Sequence, residues 1–204
     1  MTLSPVASKL NLTAHITFSA GWIGAIVAFL SLAIGGLLGE NPEGVRSMYI
    51  GMEVIAWFVI IPFCISAFLT GIVQSLTTQW GLFRHYWILI KLVLTTVATI
   101  VLMMHMQPIT HMASIATQRS LNVGELQGLR IQLIADASVA IFVLLVAMAL
   151  SVYKPFGRIQ ASISNPTDSS RRKQSLGFYL ILGLILLFIT VVILHLFGIS
   201  LGHH

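Results

Sequence analysis

Charge is what this sequence has least of. Asp, Glu, Lys and Arg together make up 8% of its 204 residues, against about a quarter in an ordinary soluble domain. That scarcity excludes a water-soluble globular fold. Cysteine is nearly as scarce: Cys64 stands alone inside an apolar run. It has no intrachain disulfide partner and no CxxC neighbour, so it reads as a packed core thiol. No HExxH motif, hydrolase triad or glycine-rich phosphate loop occurs. Strict apolar/polar alternation is missing too, which excludes a membrane β-barrel. The formal net charge of +5 raises the question of nucleic acid. The basic residues, however, cap apolar runs and crowd one connection instead of forming a stripe interleaved with aromatics, so nucleic acid is excluded as a partner. A cleavable signal peptide is not expected either. The first apolar stretch is too long, and only Lys9 precedes it, so it reads as a retained span.

What the sequence does have is hydrophobic side chains, 57% of the chain, in runs that reach the roughly 20 residues a membrane-crossing helix needs. Backbone groups in lipid must pair within their own segment, so such runs are helices. The expected architecture is an all-α integral membrane bundle, one domain over 1–204. Its five spans fall at about 12–38, 48–74, 86–106, 131–153 and 176–200. Pro108 is expected to end the third helix and Pro62 to kink the second. The connection 107–130 leaves room for a surface helix. The connection 154–174 carries Lys154, Arg158, Arg171, Arg172 and Lys173. Positive charge marks the cytoplasmic side, so the N-terminus is expected inside and the C-terminus outside.

Depth then follows from the helical rise of about 1.5 Å per residue. His85 and Arg84 mark the inner interface, and His105, twenty residues further on, reaches the outer one. His195 arrives at the same level from the fifth span, Glu53 from the second and Asp136 from the fourth. His111 lies just beyond, in the outer loop. Ionisable groups at that level are costly unless paired, ligated or wetted, which makes them functional candidates. The plainer reading stands beside it: residues near helix ends reach water cheaply, and polar groups inside spans also serve as interhelical hydrogen bonds.

In "NLTAHITFSAGWIGA" (11–25) His15, Ser19 and Trp22 share one helical face. Ala20, Gly21 and Gly24 make a small face that admits either a neighbouring helix or a flat cofactor. Lys91 lies six residues into the third span. It either snorkels to the inner interface or opens a polar seam along that helix.

Single histidines on separate spans are how membrane bundles build haem and metal sites, because neutral imidazole ligates haem iron, copper and zinc. The candidate cofactor-binding residues are His105 and His195 on the outer side, with His15, His85 and Trp22 on the inner side. Adding Glu53, Asp136 and His111 to the outer histidines gives a mixed N/O set, which suits zinc or copper(II).

Two stretches carry a resemblance. "LTAHITFSAGWIGA" resembles the first span of small bacterial membrane proteins related to the copper-resistance D (CopD) group. "GIVQSLTTQWGLFRHYWILIKLVLTTVATIVLMMH" together with "LSVYKPFG" is similar to uncharacterised bacterial membrane proteins of a domain-of-unknown-function family. The positions that match are His15, Trp22, Trp80, Arg84, His85, Tyr86, Trp87, Lys91 and His105, and Asp136 stands where similar proteins carry His. The resemblance implies a multi-pass bacterial inner-membrane protein and transfers no activity. The expectation is therefore a protein that binds b-type haem or a transition metal for metal handling or electron transfer. Two alternatives remain: a cofactor-free interaction or assembly subunit, and a small proton-coupled transporter using Glu53, Asp136 and Lys91. Its partners would be the bilayer and either further copies or other membrane proteins.

Overall fold

Short-range signals start and stop the first two helices. In the computed structural model, which describes residues 3–77, 86–117 and 126–153, α1 runs Pro5–Leu38. Ser4 caps it by accepting from the Ala7 N–H at 3.2 Å, and Pro5 fills the first turn where no N–H is needed. It stops at Gly39, whose N–H returns to the Gly35 carbonyl at 2.8 Å. Asn41 then caps α2 (Pro42–Ile55) by accepting from Glu43 N–H at 3.1 Å. A helical hairpin results.

The second span is one continuous path, α2, a π turn at Ala56–Ile60 and α3 (Ile61–Thr77). The Ile61 N–H bonds back five residues to the Ala56 carbonyl, and this widened turn directly precedes Pro62. The expected kink residue thus sits beside a π turn, a form of helix irregularity that recurs at functional sites. The remaining helices are α4 (Tyr86–Thr117) and α5 (Gln127–Tyr153).

Four stretches among the described residues are long and apolar enough to cross a membrane: Pro5–Leu38, Pro42–Thr77, Ile90–Thr117 and Gln127–Val152. The fifth expected span, 176–200, and the basic connection 154–174 lie outside the described residues. One expectation is corrected. Pro108 does not end α4; it lies inside the helix, which continues to Thr117. The missing proline N–H costs one backbone bond, but the turns beyond it bury Ile109, Met112 and Ala116 in the main core. That burial outweighs the lost bond. Residues 107–117 of the expected loop are therefore helix.

The core is threaded by all four spans: Trp22, Phe29 and Ala33 of α1, Tyr49 and Met52 of α2, Cys64 of α3, Met112 of α4 and Leu133 of α5. Cys64 is fully buried, as its apolar context indicated, and its Sγ lies 3.3 Å from Thr99 Oγ1. Outside, the pattern is inverted relative to a soluble protein. Phe58, Leu38 and Val152 are at least 70% exposed, an apolar exterior suited to lipid. This is a multi-pass membrane architecture.

Candidate functional site

Two polar clusters sit inside the bundle, one near the start of α4 at Lys91 and one further along it at His105. The first gathers where α1 begins and α3 ends. The His15 Nδ1–H donates to the Ala67 carbonyl at 3.0 Å, with Thr70 Oγ1 at 3.2 Å. A carbonyl can only accept, so the ring proton is on Nδ1 and Nε2 of the neutral ring carries a lone pair. Lys91 Nζ donates to that lone pair at 3.3 Å. Asn11 Nδ2 closes the cluster by donating to the Thr70 carbonyl at 3.1 Å. The imidazole rests over Gly71, where an added Cβ would come within 3.1 Å of Cε1. Lys91 thus turns onto α1 and is half-buried. Beyond it, Thr95 and Thr99 bond back to the Lys91 and Thr95 carbonyls, so the seam along α4 is only partly interhelical.

A double-mutant cycle checks this contact. His15→Leu leaves the Lys91 ammonium without its acceptor, so it should destabilise more than the double variant His15→Leu/Lys91→Met. The expected coupling is about 0.5–1.5 kcal/mol in detergent unfolding, and additive effects would mean the two side chains do not interact.

The second cluster carries more chemistry. His105 of α4 is buried, and its Nε2 lies 3.1 Å from Asp136 Oδ2 of α5. It is the one ion pair among the described residues. The other ring nitrogen, Nδ1, donates to the Val101 carbonyl at 2.7 Å. With that proton committed, two arrangements keep a proton between Nε2 and Oδ2. Either Nε2–H donates to a carboxylate, or a protonated Asp136 donates to Nε2. Both contain the same proton, shared between α4 and α5, and both have no net charge. Removing it would leave two lone pairs facing each other.

The pair forms part of the wall of a cavity of about 270 Å³, close to the lower end of pockets that hold small molecules. Trp22, Ile26 and Phe29 contribute from α1, Ile60 from the π turn, Ala98 and Leu102 from α4, and Leu133 and Ala140 from α5. The wall is otherwise almost wholly apolar. Trp22 is 4% exposed, and its indole N–H has no hydrogen-bond partner among the described residues, an unusual and costly state for a buried donor.

The expected outer ligands separate on this geometry. His105 and Asp136 come together, as their matched depth suggested. Glu53 is half-buried on α2 and makes no ion pair among the described residues, and His111 is exposed on the last turns of α4. His195 and His85 lie outside the described residues. No group of three metal-ligating side chains converges among the described residues. On α1 the expected inner-side partners divide: His15 belongs to the lysine cluster, whereas Trp22 belongs to the cavity. The small face splits as well. An added Cβ on Gly21 would lie 2.8 Å from the Phe63 ring, which makes it a helix seam, whereas Gly24 meets nothing within 4 Å.

Sequence reasoning missed Arg130 and Tyr49. Arg130 is the last residue of the expected connection 107–130, yet it is 6% exposed, with its guanidinium carbon 5.5 Å from the centre of the Tyr49 ring. The available signal was its setting, "GLRIQL", an arginine flanked by apolar residues at a helix start.

No protein-family model matches the chain, and no significant match to it exists among characterised proteins or solved structures.

Proposed function

We propose that this is a bacterial inner-membrane protein, its N-terminus in the cytoplasm, that admits a small, mainly apolar ligand to the cavity between α1, α4 and α5. The ligand exchanges a proton with the His105–Asp136 pair. The observation that carries this reading is the position of that pair on the cavity wall, with Nε2 and Oδ2 3.1 Å apart. A flat carbonyl compound suits the chemistry: its body matches the apolar lining, the Trp22 ring offers a stacking face, and its oxygen accepts a hydrogen bond from the pair, becoming basic enough to take the proton once a membrane electron donor has reduced the ligand. Transfer would leave neutral His105 beside ionised Asp136, a state relieved only when the pair takes up another proton. Donation and refilling therefore alternate, as proton-coupled binding requires.

Saturable binding of a methylated naphthoquinone probe to the detergent-purified protein tests this. Ala140→Phe places a ring in the cavity, so it should weaken binding about tenfold or more, since displacing an apolar ligand part costs on the order of 1–3 kcal/mol. Thermal stability should be kept. Equal binding by Ala140→Phe, or no saturable binding by the wild type, contradicts the reading.

One observation favours the metal or haem reading as a second. Nε2 and Oδ2, 3.1 Å apart, are spaced so that one zinc or copper ion about 2.0–2.2 Å from each would lie between them. The Nδ1–H bond to a backbone carbonyl is also how ligating histidines are commonly oriented. For b-type haem, Asp136 would have to yield its place to the iron. Metal analysis and a visible spectrum of protein from cofactor-replete cells decide this: a metal or Soret band lost in His105→Ala would replace the leading reading.

A further inference from the structure

Away from both clusters, at the end of the bundle where α2 and α5 begin, Arg130 poses a separate electrostatic problem. It is 6% exposed and its Nε has no hydrogen-bond partner among the described residues. No described carboxylate is within ion-pair distance, and Glu53, one turn along α2 from Tyr49, does not reach it. Buried guanidinium groups are normally paired, because an uncompensated charge in a low-dielectric setting is costly. Position aggravates the cost. Arg130 is the fourth residue of α5, and that helix has no acidic side chain in its first turn. A helix N-terminus carries partial positive charge and favours an anion. Here a cation has been placed there instead.

Among the described residues, the surroundings hold the cation in place without a counter-charge. The Tyr49 ring lies under the guanidinium at 5.5 Å, a cation–π contact that supplies part of the missing stabilisation. The Tyr49 hydroxyl is itself buried with no partner among the described residues. The ring cannot drift, because α1 passes it closely: an added Cβ on Gly36 would lie 2.7 Å from Tyr49 Cζ. A rigid cation, a positive helix end and an orphaned phenol therefore meet at one end of a membrane bundle.

We infer that Arg130, with the first turn of α5 and Tyr49 behind it, forms an oxyanion site that takes a phosphate group at the membrane surface. The guanidinium fork matches the planar, bidentate geometry of phosphate oxygens, and the helix end adds backbone N–H groups and its dipole. The phosphate could belong to a lipid headgroup or be free in solution. This site does not depend on the cavity or on its proposed ligand.

The test uses the full chain, delipidated in dodecyl maltoside, and reads the thermal midpoint. Three probes are added in turn: dioleoyl phosphatidylglycerol, dioleoylglycerol (which lacks the phosphate) and inorganic phosphate. Phosphatidylglycerol should raise the midpoint of the wild type saturably and dioleoylglycerol should not. Arg130→Gln should weaken the apparent affinity about tenfold or more, the scale of one charge-assisted hydrogen bond. Protection by inorganic phosphate that is lost in Arg130→Gln identifies a soluble source for the same site. Should Arg130→Gln fail to fold, Arg130→Lys keeps the charge but not the fork and should show the weakened affinity instead. Native mass spectrometry of the wild type then counts retained phosphatidylglycerol. No protection by any phosphate-bearing probe, or equal protection of wild type and the Arg130 variants, overturns the inference.

Discussion

Asp136→Asn should abolish proton exchange at the cavity while leaving the bundle nearly as stable as before, and Asp136→Leu should abolish exchange and destabilise by about 1–2 kcal/mol. The asparagine amide has nearly the shape of the carboxyl. It can accept from His105 Nε2–H or donate to its lone pair across the present 3.1 Å, but it cannot release or take up a proton. Leucine removes the partner altogether. The penalty then stays near the upper range for interhelical hydrogen bonds in membranes and below that for a broken buried salt bridge in a soluble protein. The reason is that His105 can shed its proton and remain neutral, with Nδ1 still bonded to Val101. Equal stability of the two variants would mean that the contact contributes nothing to folding. Retained exchange in Asp136→Asn would place the proton elsewhere.

The largest effect on folding is expected at a glycine that carries no chemistry. Gly36→Ala should destabilise by about 2–3 kcal/mol, against the usual gain of up to about 1 kcal/mol when glycine inside a helix becomes alanine. The added methyl would lie 2.7 Å from Tyr49 Cζ and 2.9 Å from its hydroxyl oxygen. Tyr49 is 2% exposed and Arg130 covers its ring, so retreat means parting α1 from α2. Gly24→Ala in the same helix is the control, because its methyl would meet nothing within 4 Å, and it should be neutral or stabilising. Unfolding titrations of both variants in mixed micelles measure the difference in sign. Combining Gly36→Ala with Tyr49→Ala should cost less than the sum of the two alone, since the clash and the ring disappear together.

How much of this was legible in the sequence depends on the range of the interaction. The α1–α2 hairpin was written locally: Gly39, Asn41 and Pro42 specify a stop, a cap and a first turn within four residues. The matched depth of His105 and Asp136 was legible by counting residues along their helices. That they face each other was not, because rotation of a helix about its axis is set by packing against neighbours. The same limit hid the Lys91–His15 contact, which spans 76 residues of chain. Pro108 misled because a local rule about proline was weighed without the long-range burial of Ile109 and Met112 that sustains α4 beyond it. The cavity left no sequence signal at all, since Ala98 and Ala140 look like ordinary seam residues until their surroundings are known. Arg130 had a signal, an arginine in apolar company, but its meaning rests on Tyr49 from a different helix.

Proton exchange at the cavity wall is the central claim, and infrared difference spectroscopy across a pH titration of the full-length protein in lipid nanodiscs reaches it most directly. Bands from a carboxyl group and from an imidazole ring should change together, with one common midpoint. Both should be lost in Asp136→Asn, and the carboxyl feature should shift in His105→Gln. A titration spectrum that is the same in wild type and Asp136→Asn would contradict the claim, and the pair would then be an interhelical hydrogen bond and nothing more.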